Sequence, residues 1–267
     1  MIGPLFHLDG ESFVPTELCR GGWDDRHQHG SPPSLLLARA LEQIATPGPM
    51  QPVRFTIDLF RPVPLAPLHV TTDVVREGRR LQVTEARLSS GNVELGRASL
   101  LRLRITDIPD LPDAGVDLPH GSLPAPEEAP ANDWAGRFGD RGALTRFHLD
   151  AIEIRTFDDS FVRPGEGRSW IRLCAAVVDD EAATPFLQVV GVADVGNGNS
   201  QNLDPHVWLY VNADITLSLH RLPTDGWIGM RSIARQHPTG IGVAETRLVD
   251  RNGAIGAVLQ SQLVERH

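Results

Sequence analysis

The side chains best placed to do chemistry in this chain of 267 residues lie beside apolar runs. Asp194 directly follows Val189-Val190-Gly191-Val192-Ala193. A carboxylate at the end of a buried segment is stripped of water, which raises its pKa and suits it to accept a proton. The same position would equally let it end a helix or cap the Gly196-Asn197-Gly198 turn. His29-Gly30 precedes Pro32-Pro33 and the run from Ser34 to Ile44, so it stands where a helix should begin. Free N–H groups there could receive a carbonyl oxygen as it becomes an oxyanion, or the pair could simply form a capping turn. Arg76, Arg79 and Arg80 could meet phosphate groups, or make up a solvated turn. His27 and His29 lack a third metal ligand, so no metal is expected. There is no Gly-x-Ser-x-Gly, so Ser200 and Ser261 do not read as nucleophiles, and no lysine exists to form a Schiff base.

Composition narrows the setting of that chemistry. Hydrophobic residues make up 41% and charged residues 22%, and no apolar run is long enough to span a bilayer, which leaves a globular protein with no membrane role. The net charge of -9 gives no general attraction to nucleic acid. The first residues show neither a basic stretch nor a long apolar one, so no secretory signal is expected. Cys19 and Cys174, far apart and without metal spacing, are expected reduced, in the cytoplasm.

The elements that must position these residues occur twice. Residues 107–143, with prolines at 109, 112, 119, 124, 126 and 130, predict a linker over the surface between residues 1–106 and 144–267. A constant offset of 160 residues then aligns Thr56 with Thr216, Leu59 with Leu219 and Arg61 with Arg221. It continues without a gap through Glu85 and Glu245, Gly96 and Gly256, and Leu103 and Leu263. In each half an apolar helix (Ser34 to Ile44; Phe186 to Asp194) precedes four β-rich segments separated by turns. Val207 to Leu219 reads as one strand. Its alternation puts Val211, Ala213, Ile215, Leu217 and Leu219 toward the helix, with Asn212 and Asp214 on the opposite face.

The residues from Asn212 to Leu217, His220-Arg221-Leu222-Pro223, Gly226-Trp227-Ile228-Gly229 and Gln260-Ser261 resemble the thioesterase-like superfamily related to acyl-CoA thioesterase II. In the first half Gly22-Trp23, His29-Gly30, Arg61-Pro62-Val63-Pro64 and Val75 to Arg79 resemble it too. The resemblance implies an α+β fold, a tandem double hotdog in which each half wraps an antiparallel sheet around a long central helix, with the site in the C-terminal copy. It implies hydrolysis of a fatty acyl-CoA by a water held by an Asp, a hydroxyl residue and a Gln. These correspond here to Asp194, Asn212 and Gln260, with Gln262 a neighbouring alternative for the last. Asn212 departs from the Thr often found there; it can hold a water, but not as a hydroxyl does. His29 and Gly30 would bind substrate, and coenzyme A would enter only as part of the substrate.

Under the 160-residue offset Asn212 replaces Pro52 and Gln260 replaces Leu100, so polar groups arise in one copy only and one site per chain is expected. Two other readings stay open. Asp24 and His29 share the D-x-x-x-x-H spacing of hotdog enoyl-CoA hydratases, without the Asn-Pro of that motif; alternatively the protein binds acyl-CoA without catalysis. Fusion of two copies satisfies one edge-to-edge pairing internally, so a homodimer would use another surface.

Overall fold

The computed structural model describes residues 2–22, 24–111, 123–130, 146–157, 161, 163–204 and 207–267. Strands β1 (Phe6–Asp9) and β2 (Ser12–Pro15) form a small ribbon. Helix α1 (Ser31–Glu42) starts on two prolines whose missing N–H groups cost nothing in a first turn. Leu35, Leu36, Leu37, Ala38 and Leu41 along it are fully buried. β3 (Met50–Leu59), β4 (His69–Glu77), β5 (Leu81–Ser90) and β6 (Val93–Arg104) follow. In the second half come β7 (Ile152–Thr156), β8 (Gly167–Leu173), α2 (Pro185–Ala193) and the short α3 (Gly196–Asn199). The chain ends with β9 (Trp208–Asn212), β10 (Asp214–Leu219), β11 (Ile228–His237), β12 (Ile241–Asp250) and β13 (Gly253–Arg266). The Thr184 hydroxyl caps α2 by accepting from Leu187 N–H at 3.2 Å.

The larger sheet is continuous across both halves, in the order β4-β5-β6-β3-β10-β13-β12-β11-β8-β7, with β9 also on β13. The halves join where β3 pairs antiparallel with β10, and there Thr56 lies opposite Thr216, the residue to which the sequence offset relates it. The two halves are thus related by a local twofold through that pair. Registers repeat accordingly: Thr56 faces Ser99 and Thr216 faces Leu259, while Leu81 faces Leu103 and Ile241 faces Leu263. Irregularities repeat too, one after Leu88 and one after Leu248.

α1 packs on β4, β5 and β6, and α2 on β8, β10 and β11, with the helices touching each other. The second helix is shorter than the first, with 9 residues against 12. β1, β2, β7 and β8 were not anticipated by the alternation of the sequence.

Most of residues 107–143 lies outside the described residues. Residues 123–130 do not run free over the surface: Leu123 is buried with Trp170, Trp227 and Val249, and Trp170 Nε1 donates to Pro124 O at 2.7 Å.

One correction bears on the site. Val207 to Leu219 is not a single strand, because a one-residue irregularity at Ala213 separates β9 from β10. Asn212 pairs with Gln262, whereas Thr216 pairs with Leu259. A bulge reverses the side-chain parity beyond it. Asn212 therefore shares the inward face with Ile215 and Leu217 rather than opposing them. Asp214 remains on the outer side, where its Oδ1 accepts from Ser261 N–H at 2.9 Å and holds the bulge. β3 carries the matching irregularity between Pro52 and Arg54.

Candidate active site

Asp194 is the C-terminal residue bounding α2, and it is buried. Its carboxylate is approached from three directions. From β9, Asn212 Nδ2 donates to Oδ1 at 2.7 Å. From the turn before α1, His29 Nδ1 lies 3.1 Å from Oδ2. Gly30, next to it, comes so close that a Cβ there would stand 2.5 Å from Oδ2, so the position admits only hydrogen. The two halves of the chain thus meet on one carboxylate. Burial raises the Asp194 pKa, and the donors Asn212 and Gly30 oppose that rise only in part.

His29 is sandwiched as well. Phe147 stacks on its ring at 4.7 Å, and His148 meets it edge-on at 4.6 Å. Both come from a single π-helical turn, Phe147–Ala151. Burial pushes both imidazoles down to about 3, so both are neutral at physiological pH. Ser31 N–H donates to His29 Nδ1 at 3.1 Å, which leaves the ring proton on Nε2. An Nδ1 whose one lone pair accepts from Ser31 N–H cannot donate to Asp194, so its approach to Oδ2 adds no donor there and disfavours negative charge on that oxygen. Sequence reasoning missed His148 because it follows no apolar periodicity and has no counterpart under the 160-residue offset.

The oxyanion site expected from the N–H groups at the start of α1 does not form as such. Gly30 N–H is turned to Asp194, Ser31 N–H is taken by His29, and Pro32 and Pro33 have none. The donor that remains there is His29 Nε2–H.

Gln260 lies on the inward face of β13 and is buried. Its Nε2 donates to the Asp194 main-chain carbonyl at 3.1 Å, not to the carboxylate. That carbonyl is an open acceptor at a helix end, and Gln260 satisfies it together with Asn212 Nδ2 at 3.3 Å. Gln262 accepts at Oε1 from Gln236 Nε2 at 3.0 Å, and it is Gln260 that bonds to Asp194. In the first half the position equivalent to Gln262 is Arg102, which is buried and donates to the carbonyls of Leu41 and Ile44 at the end of α1 and to Gln82 Oε1. A guanidinium fills the place where the second half has amides, and Pro52 and Leu100 offer no polar side chain. The Asp194–Asn212 pair thus belongs to the second half, while Gly30 and His29 reach it from the first.

The cluster opens on a cavity of about 670 Å³ lined by both halves, including His29, Gly30, His148, Asp194, Asn197 and Asn212, with Leu59, Phe60, Val63, Phe161, Leu209 and Val211 among its apolar residues. Asp24 also lines it, but its carboxylate is held by Arg26 at 2.6 Å and faces His27 at 3.5 Å. The carboxylate partner of His29 is Asp194, so the pairing of Asp24 with His29 is not formed. Among the described residues no group of three or more His, Cys, Asp or Glu is arranged to hold a metal ion. Arg76, Arg79 and Arg80 are not on the cavity wall.

The sequence profile of the acyl-CoA thioesterase C-terminal domain matches residues 122–264, and that of the acyl-CoA thioesterase N-terminal domain matches residues 19–103. The chain belongs to the acyl-CoA thioesterase family. It is, accordingly, a thioester hydrolase. Solved structures agree on the fold. A candidate thioesterase II of Thermobifida fusca YX superposes with a TM-score of 0.71 at 16% identity, over 100% of this chain and 96% of that one. A hot dog protein of unknown function from Alicyclobacillus acidocaldarius gives 0.70 at 14%, over 97% and 94%. An acyl-CoA thioesterase II of Mycobacterium marinum gives 0.65 at 14%, over 97% and 95%. At such identities the likeness carries the hotdog fold alone. The sequence matches no curated protein significantly. Among the described residues no helix of this thioesterase is long and apolar enough to cross a membrane.

Proposed function

We propose that this protein hydrolyses a fatty acyl-CoA by direct attack of water, with Asp194 as the general base and no acyl-enzyme. The observation that carries the reading is the meeting of Asp194, Asn212 and His29 on the wall of one cavity built by both halves. Asp194, once ionised, takes a proton from the attacking water as the water oxygen bonds the thioester carbon; the C–S bond then breaks and the coenzyme A thiolate leaves, taking that proton back from Asp194. Asn212 fixes the carboxylate through Nδ2 and keeps a lone pair on Oδ1 for that water. Gln260 steadies Asp194 through its main-chain carbonyl; its contact with the water itself rests on the family resemblance. His29 Nε2–H is the donor for the thioester carbonyl as charge builds on its oxygen, a task usually worth about 10²–10³ in rate. General-base assistance by Asp194 adds about 10²–10⁴-fold.

The fold supporting this chemistry is read as a tandem double hotdog, residues 1–106 and 144–267 joined by 107–143, with the acyl chain between the copies. The repeated strand registers support that division. Two cysteines without disulfide partners fit a reducing cytoplasm, and any homodimer would use a surface other than the β3–β10 junction.

The test is steady-state turnover on a panel of acyl-CoA chain lengths. Asp194→Ala is expected to lose nearly all activity, and an unchanged rate would remove Asp194 from the mechanism. Tight acyl-CoA binding with no hydrolysis at any chain length would instead favour a non-catalytic acyl-binding role. Hydration of crotonyl-CoA that survives Asp194→Ala but not His29→Ala would favour a hydratase.

A further inference from the structure

Asn212 is an amide placed against a carboxylate, and an amide has two ends that do opposite things. With Nδ2 toward Asp194 it stabilises the ionised carboxylate; with Oδ1 there it would stabilise the protonated acid. The general base needs the first arrangement. The amide is held at both ends: its Nδ2 also donates to the Asp194 main-chain carbonyl at 3.3 Å, and its Oδ1 is held one step further from the carboxylate. Asn197, in α3, donates from Nδ2 to Asn212 Oδ1 at 3.2 Å. Asn197 is itself fixed, because its Oδ1 accepts from Gly198 N–H at 2.6 Å. A main-chain N–H can only donate. From the Gly198 side the polarity passes through Asn197 and Asn212 to Asp194 Oδ1, and it agrees with the one the acceptor-only Asp194 carbonyl sets from the other end.

We propose that Asn197 is a positioning residue that orients the Asn212 amide and thereby keeps Asp194 available as a base. This inference rests on the reading of Asp194 as general base. It also explains how Asn serves where a hydroxyl residue is common: a hydroxyl rotates to suit either protonation state, whereas an amide needs a neighbour to hold it. The other titratable groups facing Asp194 are His29, from the turn before α1, and His148, from the π-helical turn. Further along the cavity wall stand Asp24, His27, Arg61, Glu265 and His267.

Asn197→Leu and Asn197→Ala both remove the donor without adding charge. The titration of Asp194 is followed by carbon NMR of protein labelled at the aspartate carboxyl, with its resonance identified by its loss in Asp194→Asn. Thermal melting shows which of the two variants is folded, and either suffices. The Asp194 midpoint is expected to rise by roughly half to one pH unit, the size of one hydrogen bond of about 1 kcal/mol, and the acid limb of kcat/KM to move with it. In an Asn212→Thr background the same Asn197 substitutions are expected to leave the midpoint where Asn212→Thr alone puts it. An unmoved midpoint with Asn212 present, or an equal rise with Thr in its place, would overturn the proposal. Should the wild type turn over no thioester while the NMR midpoint still moves, the orientation relay stands and the thioesterase reading fails, so the two are told apart.

Discussion

Replacing Asp194 by Asn should separate stability from catalysis with a defined pH signature. Asn is the neutral image of protonated Asp194. Its oxygen can still accept from Asn212 Nδ2, and an uncharged amide replaces the oxygen that now lies 3.1 Å from His29 Nδ1. The variant therefore keeps the Asn212 hydrogen bond and loses the buried charge. Because burial raises the Asp194 pKa above its ordinary 3.8, the folded wild type binds this proton more tightly than the unfolded chain does. Wild-type stability attributable to this group is then fully present below 3.8 and is lost as pH rises through the folded value. The Asn variant has no such loss. The gap in unfolding free energy should open by about 1.4 kcal/mol for each pH unit by which the folded pKa exceeds the unfolded one. For a chain of this size that is roughly 3–6 °C in Tm per unit. Paired thermal melts of the two proteins from pH 4 to 8 measure it, with kcat falling by about 10²–10⁴-fold in the same variant. A constant Tm difference across that range, or a variant less stable at neutral pH, would refute the account of Asp194 as a carboxyl kept in an unfavourable place for its chemistry.

Three further outcomes follow from the geometry. Gly30→Ala drives a methyl into Asp194 Oδ2, and kcat/KM should fall about 10²-fold in steady-state assays, as a displacement near 1 Å does. His29→Phe keeps the stack on Phe147 but removes Nε2–H, so kcat/KM should drop about 10²–10³-fold with an unchanged far-ultraviolet circular dichroism spectrum. Arg102→Leu strands the α1 carbonyls and should cost about 1–3 kcal/mol in urea unfolding while kcat stays at the wild-type value.

Much of the sheet was legible because alternation and turn residues act locally. The segments from Leu81 to Leu103 and from Ile241 to Val264 carry their own pattern, and the offset that relates them reappears as identical strand registers. Asp194 was legible as a carboxylate at the end of an apolar run. The contacts of Gln260 and His29 were not. Gln260 meets a main-chain carbonyl, and His29 presents Nδ1 to Ser31 and Asp194; both depend on where a helix end arrives in space.

The sequence by itself determined both core helices, most strands of the larger sheet, the constant offset and the family, since each rests on side-chain types repeated at short or constant spacing. Only the tertiary structure decided which way the decisive side chains point. A single residue at Ala213 turns Asn212 from the outer face to the inner one, and a bulge is a property of two paired strands, visible in neither alone. The pairing of His29 with Asp194 was decided in the same way, by packing that brings the N-terminus of one helix against the C-terminus of another, and no local pattern in either helix encodes its partner.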